Sequence, residues 1–376
     1  MITRNDILKI AKQEHDVCIS IYLRTHKMGE EVQQDPIRLK NLLNEASAKL
    51  KNLEIAEQRI QKLLKKPKEL LSKPLFWQHN DKGLALFISE SNFDYYRVPH
   101  SFNERVMVDD HFLITPIIPM ISLEGTFCIL ALSQKRIRLL KCTRAQVEEI
   151  ELKESPANMD EFKKYEVYEK NITSSGSGGA AAMFHGWGDG SVETKYVENY
   201  LKTIENEVTS ILRKRNDPLI LAGIDEAAAI YRSVNHYSRL MDQMVVGNPD
   251  PKTDNEIKNE GWKVIESYFL KDMYADIERF GDLSGTEKQS DNLTKIVGAA
   301  YYGKVDSLFV PIGEHSWGWF DQERDVVHHS KEQKNGEHDL INLAAIKTLI
   351  QSGNVYALER EEMPNRAPIA AIFRYA

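Results

Sequence analysis

The chain has 376 residues, and its 42% hydrophobic and 28% charged residues are typical of a globular protein and exclude a disordered one. Its 49 basic and 56 acidic residues give a formal net charge of −7, which disfavours a protein that coats nucleic acid through overall charge but leaves local basic patches open. Three cysteines, Cys18, Cys128 and Cys142, lie in apolar runs without a CxxC pair, which excludes a disulfide scaffold and a cysteine-rich zinc site. The cysteine usage, the charged N-terminal residues and the lack of an apolar run of about 18 residues predict a cytoplasmic chain without a signal peptide or membrane span.

Hydrophobic periodicity predicts an α/β region at the start of the chain. The alternating run VCISIYL at 17–23 predicts a strand. Apolar residues at steps of three and four from Leu39 to Leu64 predict one long helix over about 35–65, which Pro67 ends or kinks. A short helix and two paired strands complete this region, at residues 3–13, 83–89 and 93–98.

The pattern changes near residue 115, where a second region begins. Three short apolar runs predict a β-meander, with strands at 125–132, 137–142 and 146–152. Residues 154–190 are weakly periodic and rich in small residues towards their end, which is typical of a flexible or functional linker. Apolar steps of four and three from Val197 to Ile211 then predict an amphipathic helix capped by Ser191. A strand at 218–223 and a short helix at 225–232 follow.

Turn residues at 247–251 predict a boundary before a third region. Helices and strands alternate after it: helices at 256–280, 292–302 and 339–351, and strands at 305–311, 355–358 and 369–373. The polar residues 313–338 predict a loop. This alternation is typical of a three-layer α/β/α domain. The whole chain therefore predicts an α/β protein with three domains, 1–113, 114–247 and 248–376.

No familiar catalytic or cofactor motif occurs in the chain. Walker, GxGxxG, GxSxG and HExxH sequences are all absent, and no cofactor is predicted. A group of histidines with Asp339 could surround a metal ion, but they form no helical i, i+4 pair and lie in the predicted loop, so no metal site is predicted: His315, His328, His329 and His338. Cys142 stands beside Lys141 and Arg144, which can activate a thiol, yet its apolar strand favours an inert core residue.

The most informative segment is HGWGDGS at 185–191, directly before the amphipathic helix. Its three alternating glycines allow backbone conformations that other residues resist. Trp187 between them would be exposed unless it meets a partner. By spacing alone, the segment is compatible with an ordinary surface turn before a helix.

Further motifs occur in a fixed order along most of the chain. They are SIYLRTH at 20–26, IRLKNLLNEA at 37–46, LILAG at 219–223, AAYYGKVDSLFVP at 299–311, NVYALE at 354–359 and PIAAIFRYA at 368–376. With HGWGDGS, this set resembles the archaeal and eukaryotic class-I release factors and their relative Pelota, in particular the bacterial branch of that superfamily. The resemblance implies an N-terminal α/β domain, an RNase H-like middle domain carrying the loop 174–191, and a C-terminal α/β/α domain of the kink-turn-binding ribosomal-protein type.

The loop departs from the Gly-Gly-Gln sequence of the catalytic members. His185, Gly186 and Gly188 match family positions, whereas Asp189 stands at the second glycine and Gly190 where the glutamine should be. In the family, that glutamine or the backbone beside it helps to position a water against the peptidyl-tRNA ester. Gly190 has no side chain for this, and Asp189 places negative charge near phosphate-rich RNA. The resemblance implies a loop that contacts ribosome or tRNA without a catalytic residue: His185, Gly186, Trp187, Gly188, Asp189 and Gly190.

Three basic clusters on this acidic chain are candidate RNA-binding patches, because clustered lysine and arginine can follow RNA phosphates. They are Lys62, Lys65, Lys66 and Lys68 on the long helix, Lys135, Arg136 and Arg138 at the meander, and Arg213, Lys214 and Arg215 after the amphipathic helix. Lysines on an exposed helix face are also commonly only solvated, and basic residues at 213–215 also suit a helix C-terminus.

Three functional hypotheses remain open. The first is a non-catalytic ribosome-binding translation factor that occupies the decoding site in hibernation, rescue or quality control. Its partners would be the ribosome through rRNA, with tRNA and a translational GTPase as further candidates, and neither a membrane nor DNA. The second is a divergent peptidyl-tRNA hydrolase or release factor, and the missing glutamine argues against this enzyme. The third is a stress or adaptor protein that kept the fold and does not bind the ribosome.

Overall fold

The computed structural model describes residues 2–122, 124–133, 135–156, 158–164, 191–331 and 337–375. Contacts divide the chain into a first unit, Met1–Leu123 with Leu270–Ala376, and a second unit, Glu124–Phe269. Both units are mixed α/β structures, and the described strands form four sheets. None of the helices in the described ranges combines the length and the apolar character needed to cross a membrane.

An antiparallel sheet covered by helices forms the N-terminal part of the first unit. Its elements are α1 (Arg4–Ala11), β1 (Glu14–Arg24), α2 (Asp35–Asn52), α3 (Glu57–Glu69), α4 (Pro74–Gln78), β2 (Gly83–Ile88), β3 (Phe93–Val98), β4 (Arg105–His111) and α5 (Pro119–Ser122). The strand order is β3-β2-β1-β4, and Ile19 of β1 pairs with Ile88 of β2 and Val108 of β4. These side chains pack against α2 and α3 in one core. Alternate residues such as Tyr22 and Phe87 point to the opposite face, so β1 is apolar along almost its whole length.

The second unit is a five-stranded sheet between two helical layers. Its elements are β5 (Phe127–Ala131), β6 (Arg138–Cys142), β7 (Val147–Ile150), α6 (159–164), α7 (Ser191–Arg213), β8 (Leu219–Gly223), α8 (Asp225–Val234), β9 (Leu240–Val246) and α9 (Asp254–Phe269). The order is β7-β6-β5-β8-β9, in which β5 pairs antiparallel with β6 and parallel with β8. The apolar residues of α7 and α8 share one core with the sheet. On the other face, a Cβ at Gly261 of α9 would lie 2.5 Å from Ile129 Cδ1, so glycine lets this helix approach the sheet closely.

The C-terminal part of the first unit contains two further sheets and the helices that pack on them. Its elements are α10 (Lys271–Asp282), β10 (Gln289–Ser290), α11 (Leu293–Tyr301), β11 (Val305–Pro311), β12 (Trp317–Asp321), β13 (Val326–Ser330), β14 (His338–Asp339), α12 (Leu340–Ile350), β15 (Asn354–Leu358) and β16 (Ala370–Phe373). One sheet has the order β10-β16-β11-β15 and a smaller one β13-β12-β14. Residues of α11 and α12 pack together with α1 and the second face of the N-terminal sheet, while α10 packs with Phe309 and Tyr356 in another core.

Two long helices predicted from periodicity are each divided in the structure. Between α2 and α3, Glu54 has a φ of 58°, which is incompatible with a continuous right-handed helix. Both helices bury apolar residues in the same core, so the three- and four-residue spacing of apolar residues continues through the break. The predicted helix at 256–280 is interrupted at Leu270, where the chain passes from the second unit into the first.

The prediction of a loop at 313–338 is wrong, because this segment contains β12, β13 and the start of β14. Its strands have little buried surface, and in β13 only Val327 is buried, so the alternating apolar pattern is weak. Strands β4 and β9 were also not predicted. The three-domain division at 113 and 247 stays a prediction; by contacts the second unit continues to Phe269, because α9 packs on its sheet.

Candidate functional site

The predicted contact loop, residues 185–190, lies outside the described residues, as do 165–184. Its immediate surroundings are described on both sides. The meander of β5, β6 and β7 and the start of α6 precede it, and α7 begins at Ser191 directly after it. The sequence order expected around the loop, three strands and then a long amphipathic helix and a strand, is therefore present in the second unit.

Helix α3 carries the lysine cluster of the first unit. Its buried side is apolar, with Ile60, Leu63 and Leu64 at most 4% exposed. Lys62, Lys65, Lys66 and Lys68 are all exposed on its other faces. The helix thus has the amphipathic form that leaves its ammonium groups in solvent.

Three of these lysines form one face. Lys62, Lys65 and Lys66 are spaced i, i+3 and i+4, which makes them neighbours on a helix. Within the described residues none of the three has an ion pair, and we call them the α3 lysine face. Other basic residues of this region are paired with carboxylates: Lys49 with Glu45, Lys51 with Glu57, and Arg59 with Glu90. Lys68 follows Lys65 by three residues, and its charge contributes to lowering the pKa of Glu57, after the hydrogen bond from Lys51.

The cluster at the meander is mostly engaged within the second unit. The Arg138 guanidinium donates to Asp254 Oδ1 at 2.6 Å and to the Pro249 carbonyl at 2.8 Å. Arg136 donates to both carboxylate oxygens of Glu149, at 2.7 and 2.8 Å. Lys135 is exposed. A phosphate would have to compete with these carboxylates for both arginines.

The cluster after α7 divides in the same way. Arg213 and Lys214 are exposed. Arg215 donates through Nε to Asp217 Oδ2 at 2.9 Å, an interaction that holds the turn between α7 and β8. Two of the three predicted residues thus present their charge to solvent.

The structure brings together a group of chemically active side chains that the sequence analysis did not combine. Asp109, Asp110 and His111 are the last residues of β4, and His338 is the first residue of β14. His338 Nδ1 lies 2.8 Å from Asp109 Oδ1 and 3.1 Å from Asp110 Oδ1. His111 Nδ1 lies 2.6 Å from Asp110 Oδ1. We call these four residues the β4–β14 cluster.

Electrostatics in this cluster follow from the short contacts. Hydrogen bonds to Asp109 and then Asp110 raise the pKa of His338 to about 10. Burial acts to raise the pKa of Asp110, but hydrogen bonds from His111 and His338 outweigh it and hold that pKa well below its usual range. Burial raises the pKa of Asp109. The run Asp-Asp-His at the end of the apolar segment 106–108 is the sequence signal that could have identified three of the four residues.

The other histidines weighed as metal ligands have separate partners. His315 Nδ1 contacts Asp339 Oδ2, and the ring stacks on Trp317 with 5.6 Å between centroids. His328 stacks on Trp319 at 4.2 Å, and His329 Nε2 lies 3.1 Å from the Thr294 hydroxyl. The structure therefore does not gather them with His338. Cys142 is fully buried, as its apolar strand predicted.

Comparison with known proteins gives one family. A sequence model of bacterial archaeo-eukaryotic release factor family 7 matches residues 127–267, which begin at the first residue of β5 and end within α9. No curated protein matches the chain.

Solved structures similar to the chain include archaeal translation factors. The crystal structure of the archaeal translation termination factor aRF1 is 14% identical, covering 100% of this chain and 99% of that chain, with a TM-score of 0.25. A model of ribosome-bound archaeal Pelota and ABCE1 is 11% identical, covering 99% and 94%, with a TM-score of 0.37. Pelota from Archaeoglobus fulgidus is 10% identical, covering 99% and 92%, with a TM-score of 0.33. The family match confirms the resemblance predicted from the sequence: residues 127–267 of the chain match the model of a bacterial family of archaeo-eukaryotic release factors.

Proposed function

We propose that this protein is a non-catalytic translation factor that binds the ribosome and occupies its decoding site during hibernation, rescue or quality control. The observation that carries the proposal is the match of residues 127–267 to a release factor family, because release factors act on the ribosome. The match covers nearly the whole second unit, including the sheet and helix on either side of the predicted contact loop.

The α3 lysine face supports RNA contact by the first unit. Lys62, Lys65 and Lys66 are exposed and, within the described residues, have no carboxylate partner. An unpaired ammonium gives up only water when it meets a phosphate, whereas a paired one must also lose its carboxylate. Three adjacent charges of this kind can neutralise rRNA phosphates although the chain as a whole is acidic.

Two smaller groups in the second unit supplement this surface. Lys135, Arg213 and Lys214 are exposed. Three further candidates, Arg136, Arg138 and Arg215, are each paired with a carboxylate. They could bind an RNA phosphate only by giving up that carboxylate partner. We therefore expect Lys135, Arg213 and Lys214 to contribute more to RNA binding than the three arginines.

The absence of catalysis is proposed from the loop sequence. Ester hydrolysis on peptidyl-tRNA needs a positioned water and stabilisation of the charge that develops on the carbonyl oxygen. Gly190 offers only backbone groups, and Asp189 adds negative charge where negative charge accumulates. His185 then has a structural role and does not act as a general base.

The proposal includes the finer fold assignments and partners that the resemblance implies. A sheet of five strands with helices on both faces supports an RNase H-like middle domain, predicted at 114–247. The C-terminal region, predicted at 248–376, would be of the kink-turn-binding ribosomal-protein type. A translational GTPase is the proposed protein partner, and rRNA and tRNA are the proposed nucleic-acid contacts.

Sedimentation with ribosomes tests the proposal. The full chain is mixed with vacant ribosomes, with ribosomes whose decoding site is filled by tRNA, and with buffer alone, and each mixture is centrifuged through a sucrose cushion. We expect the protein to pellet with vacant ribosomes and to be displaced when the decoding site is filled. Failure to pellet with any ribosome would favour an adaptor role away from the ribosome, and equal pelleting with filled sites would exclude decoding-site occupancy.

A further inference from the structure

The β4–β14 cluster consists of residues that are distant in the chain and have the chemistry of metal ligands. Asp109 and His338 are 229 positions apart, yet their side chains are in hydrogen-bond contact. One ligand atom from each of Asp110, His111 and His338 lies within 4.8 Å of the other two. Asp109 adds a second carboxylate oxygen, 2.8 Å from His338 Nδ1. Two imidazole nitrogens and one carboxylate oxygen therefore lie together, with the Asp109 carboxylate beside the His338 nitrogen.

From this geometry we infer that Asp109, Asp110, His111 and His338 form a binding site for a divalent transition-metal ion of the zinc type. Imidazole nitrogen and carboxylate oxygen are both ligands of zinc, and imidazole disfavours magnesium and calcium. The two carboxylates carry together the charge that neutralises a divalent cation. Four protein ligands complete a tetrahedron without an open position, which makes the ion a structural one.

The present distances are compatible with this ion. Zinc lies about 2.0–2.2 Å from such ligands, which places neighbouring ligand atoms of a tetrahedron roughly 3.3 Å apart. The contacts in the cluster are 2.6 Å for His111 with Asp110, and 2.8 and 3.1 Å for His338 with Asp109 and Asp110. Widening of these three contacts by about 0.2 to 0.7 Å through side-chain rotation would admit the ion in place of the hydrogen-bonding protons.

The surroundings fix the proposed ligands. Glu14 Oε2 lies 3.5 Å from His111 Nε2, the ring nitrogen that faces away from Asp110, and a carboxylate at that place orients a metal-bound imidazole. The Asp110 amide donates to Asp109 Oδ1 at 2.8 Å, and Cys18 Sγ donates to the Asp110 carbonyl at 3.2 Å. The Asp109 side chain is 7% exposed, whereas Asp110 is 33% exposed and gives an ion access from solvent.

The neighbouring His315–Asp339 pair is a poorer candidate. Asp339 accepts from the amides of Ser316 and Ile341 through Oδ1 and contacts His315 through Oδ2, so its carboxylate is committed to capping α12. An ion at the β4–β14 cluster would instead join the end of β4 to the start of β14, and both belong to the first unit. It would stabilise that unit through preferential binding to the folded state.

Metal binding by the full chain tests the inference. Protein freed of metal by a chelator is titrated with Zn²⁺ in competition with a chromophoric chelator, and with Co²⁺ under visible absorption. We expect one tightly bound ion per chain and the absorption bands of tetrahedral Co²⁺. The double variant His111→Gln with His338→Gln should bind Zn²⁺ more than about 100-fold more weakly, and Glu14→Gln, at an exposed position, about 10-fold more weakly.

The matched control is His328→Gln with His329→Gln, which also removes two histidines from the first unit and should bind Zn²⁺ like the unaltered chain. The inference is overturned if the unaltered chain binds no ion, or if the double variant and the control bind Zn²⁺ equally. If the double variant does not fold, a Co²⁺ spectrum of the unaltered chain without tetrahedral bands, or Zn²⁺ affinity unchanged in Glu14→Gln, overturns it as well.

Discussion

Arg138 shows how one side chain can hold a turn of the second unit. Its guanidinium contacts Asp254 Oδ1 at 2.6 Å and the carbonyls of Pro249 and Lys252 at 2.8 and 3.3 Å. The side chain is 13% exposed, so water replaces these contacts poorly. Arg136, two residues earlier, pairs with Glu149 while 62% exposed, where water competes effectively.

Replacing Arg138 should therefore destabilise the second unit far more than replacing Arg136. We expect Arg138→Ala to lower the free energy of unfolding by about 2 kcal/mol, because it removes charged hydrogen bonds at a partly buried site. Arg136→Ala should change it by less than about 0.5 kcal/mol. Urea unfolding followed by circular dichroism measures both. Equal effects of the two variants would show that Arg138 does not hold the turn.

The three thiols should be unreactive in the folded protein. Burial raises the pKa of Cys18 and of Cys128 to about 12 and raises that of Cys142 further. Since the thiolate is the reactive form, modification by a disulfide reagent at pH 8 should be slower than for a free thiol by about three orders of magnitude. The measurement compares colour release in buffer and in urea. Rapid reaction of one thiol in buffer would contradict this.

Residue types and their local surroundings were predictable from the sequence, but their partners were not. The apolar run around Cys142 was enough to predict a buried thiol. By contrast, the acceptors of Arg138 lie more than a hundred positions away, and those of His338 are farther still. In the sequence, the basic residues at the meander therefore form one patch, and nothing local connects the run Asp-Asp-His at 109–111 to His338.

At the scale of elements, α3 combines a buried apolar side with three lysines that have no ion pair within the described residues. Ile60, Leu63 and Leu64 anchor it in the core of the N-terminal sheet. The α3 lysine face can therefore be altered without touching that core. Substitution there separates a role in binding from a role in folding.

Charge reversal of the α3 lysine face should weaken ribosome binding. In the variant Lys62→Glu, Lys65→Glu, Lys66→Glu, we expect the slope of log affinity against log salt to fall by about 1 for each phosphate that the protein no longer neutralises. Binding is measured by sedimentation at several salt concentrations. A control reverses three exposed lysines elsewhere, Lys9, Lys263 and Lys271, with the same change in net charge. If both variants bind alike, the α3 lysine face is only solvated.

Element types followed from periodicity, whereas their ends depended on tertiary structure. The helices predicted at 292–302 and 339–351 correspond to α11 and α12, whose N-caps are Asn292 and Asp339. The break at Leu270 was not predictable from the sequence. The apolar spacing runs on through it, although α9 belongs to the second unit and α10 to the first. Strand β4 was missed since its last three residues are charged or polar, for which the β4–β14 cluster is the structural reason.

At the scale of the whole molecule, the sequence of the loop at 185–190 distinguishes a protein that only binds the ribosome from one that also hydrolyses peptidyl-tRNA. This loop lies within the range that matches the release factor family. Residues 127–267 match the family, but the glutamine expected in the loop is Gly190. Binding to the ribosome uses extended surfaces, while ester hydrolysis depends on a few positioned atoms. Loss of one side chain can therefore remove ester hydrolysis and leave ribosome binding intact.

We expect no peptide release above background from ribosomes that carry labelled peptidyl-tRNA and an empty decoding site. The variant Asp189→Gly with Gly190→Gln should not fully restore release, because Trp187 stands where the resemblance implies an arginine in the catalytic members. Puromycin, which accepts the peptide directly, is the positive control. Release by the unaltered chain that disappears in His185→Ala would instead establish a divergent hydrolase.

The most direct test of the central claim is a cryo-electron microscopy structure of the protein mixed with vacant ribosomes. The account predicts density for the protein in the decoding site, with Lys62, Lys65 and Lys66 at salt-bridge distance from rRNA phosphates. Ribosomes without bound protein, or a bound protein that turns the α3 lysine face to solvent and leaves the decoding site open, would contradict it.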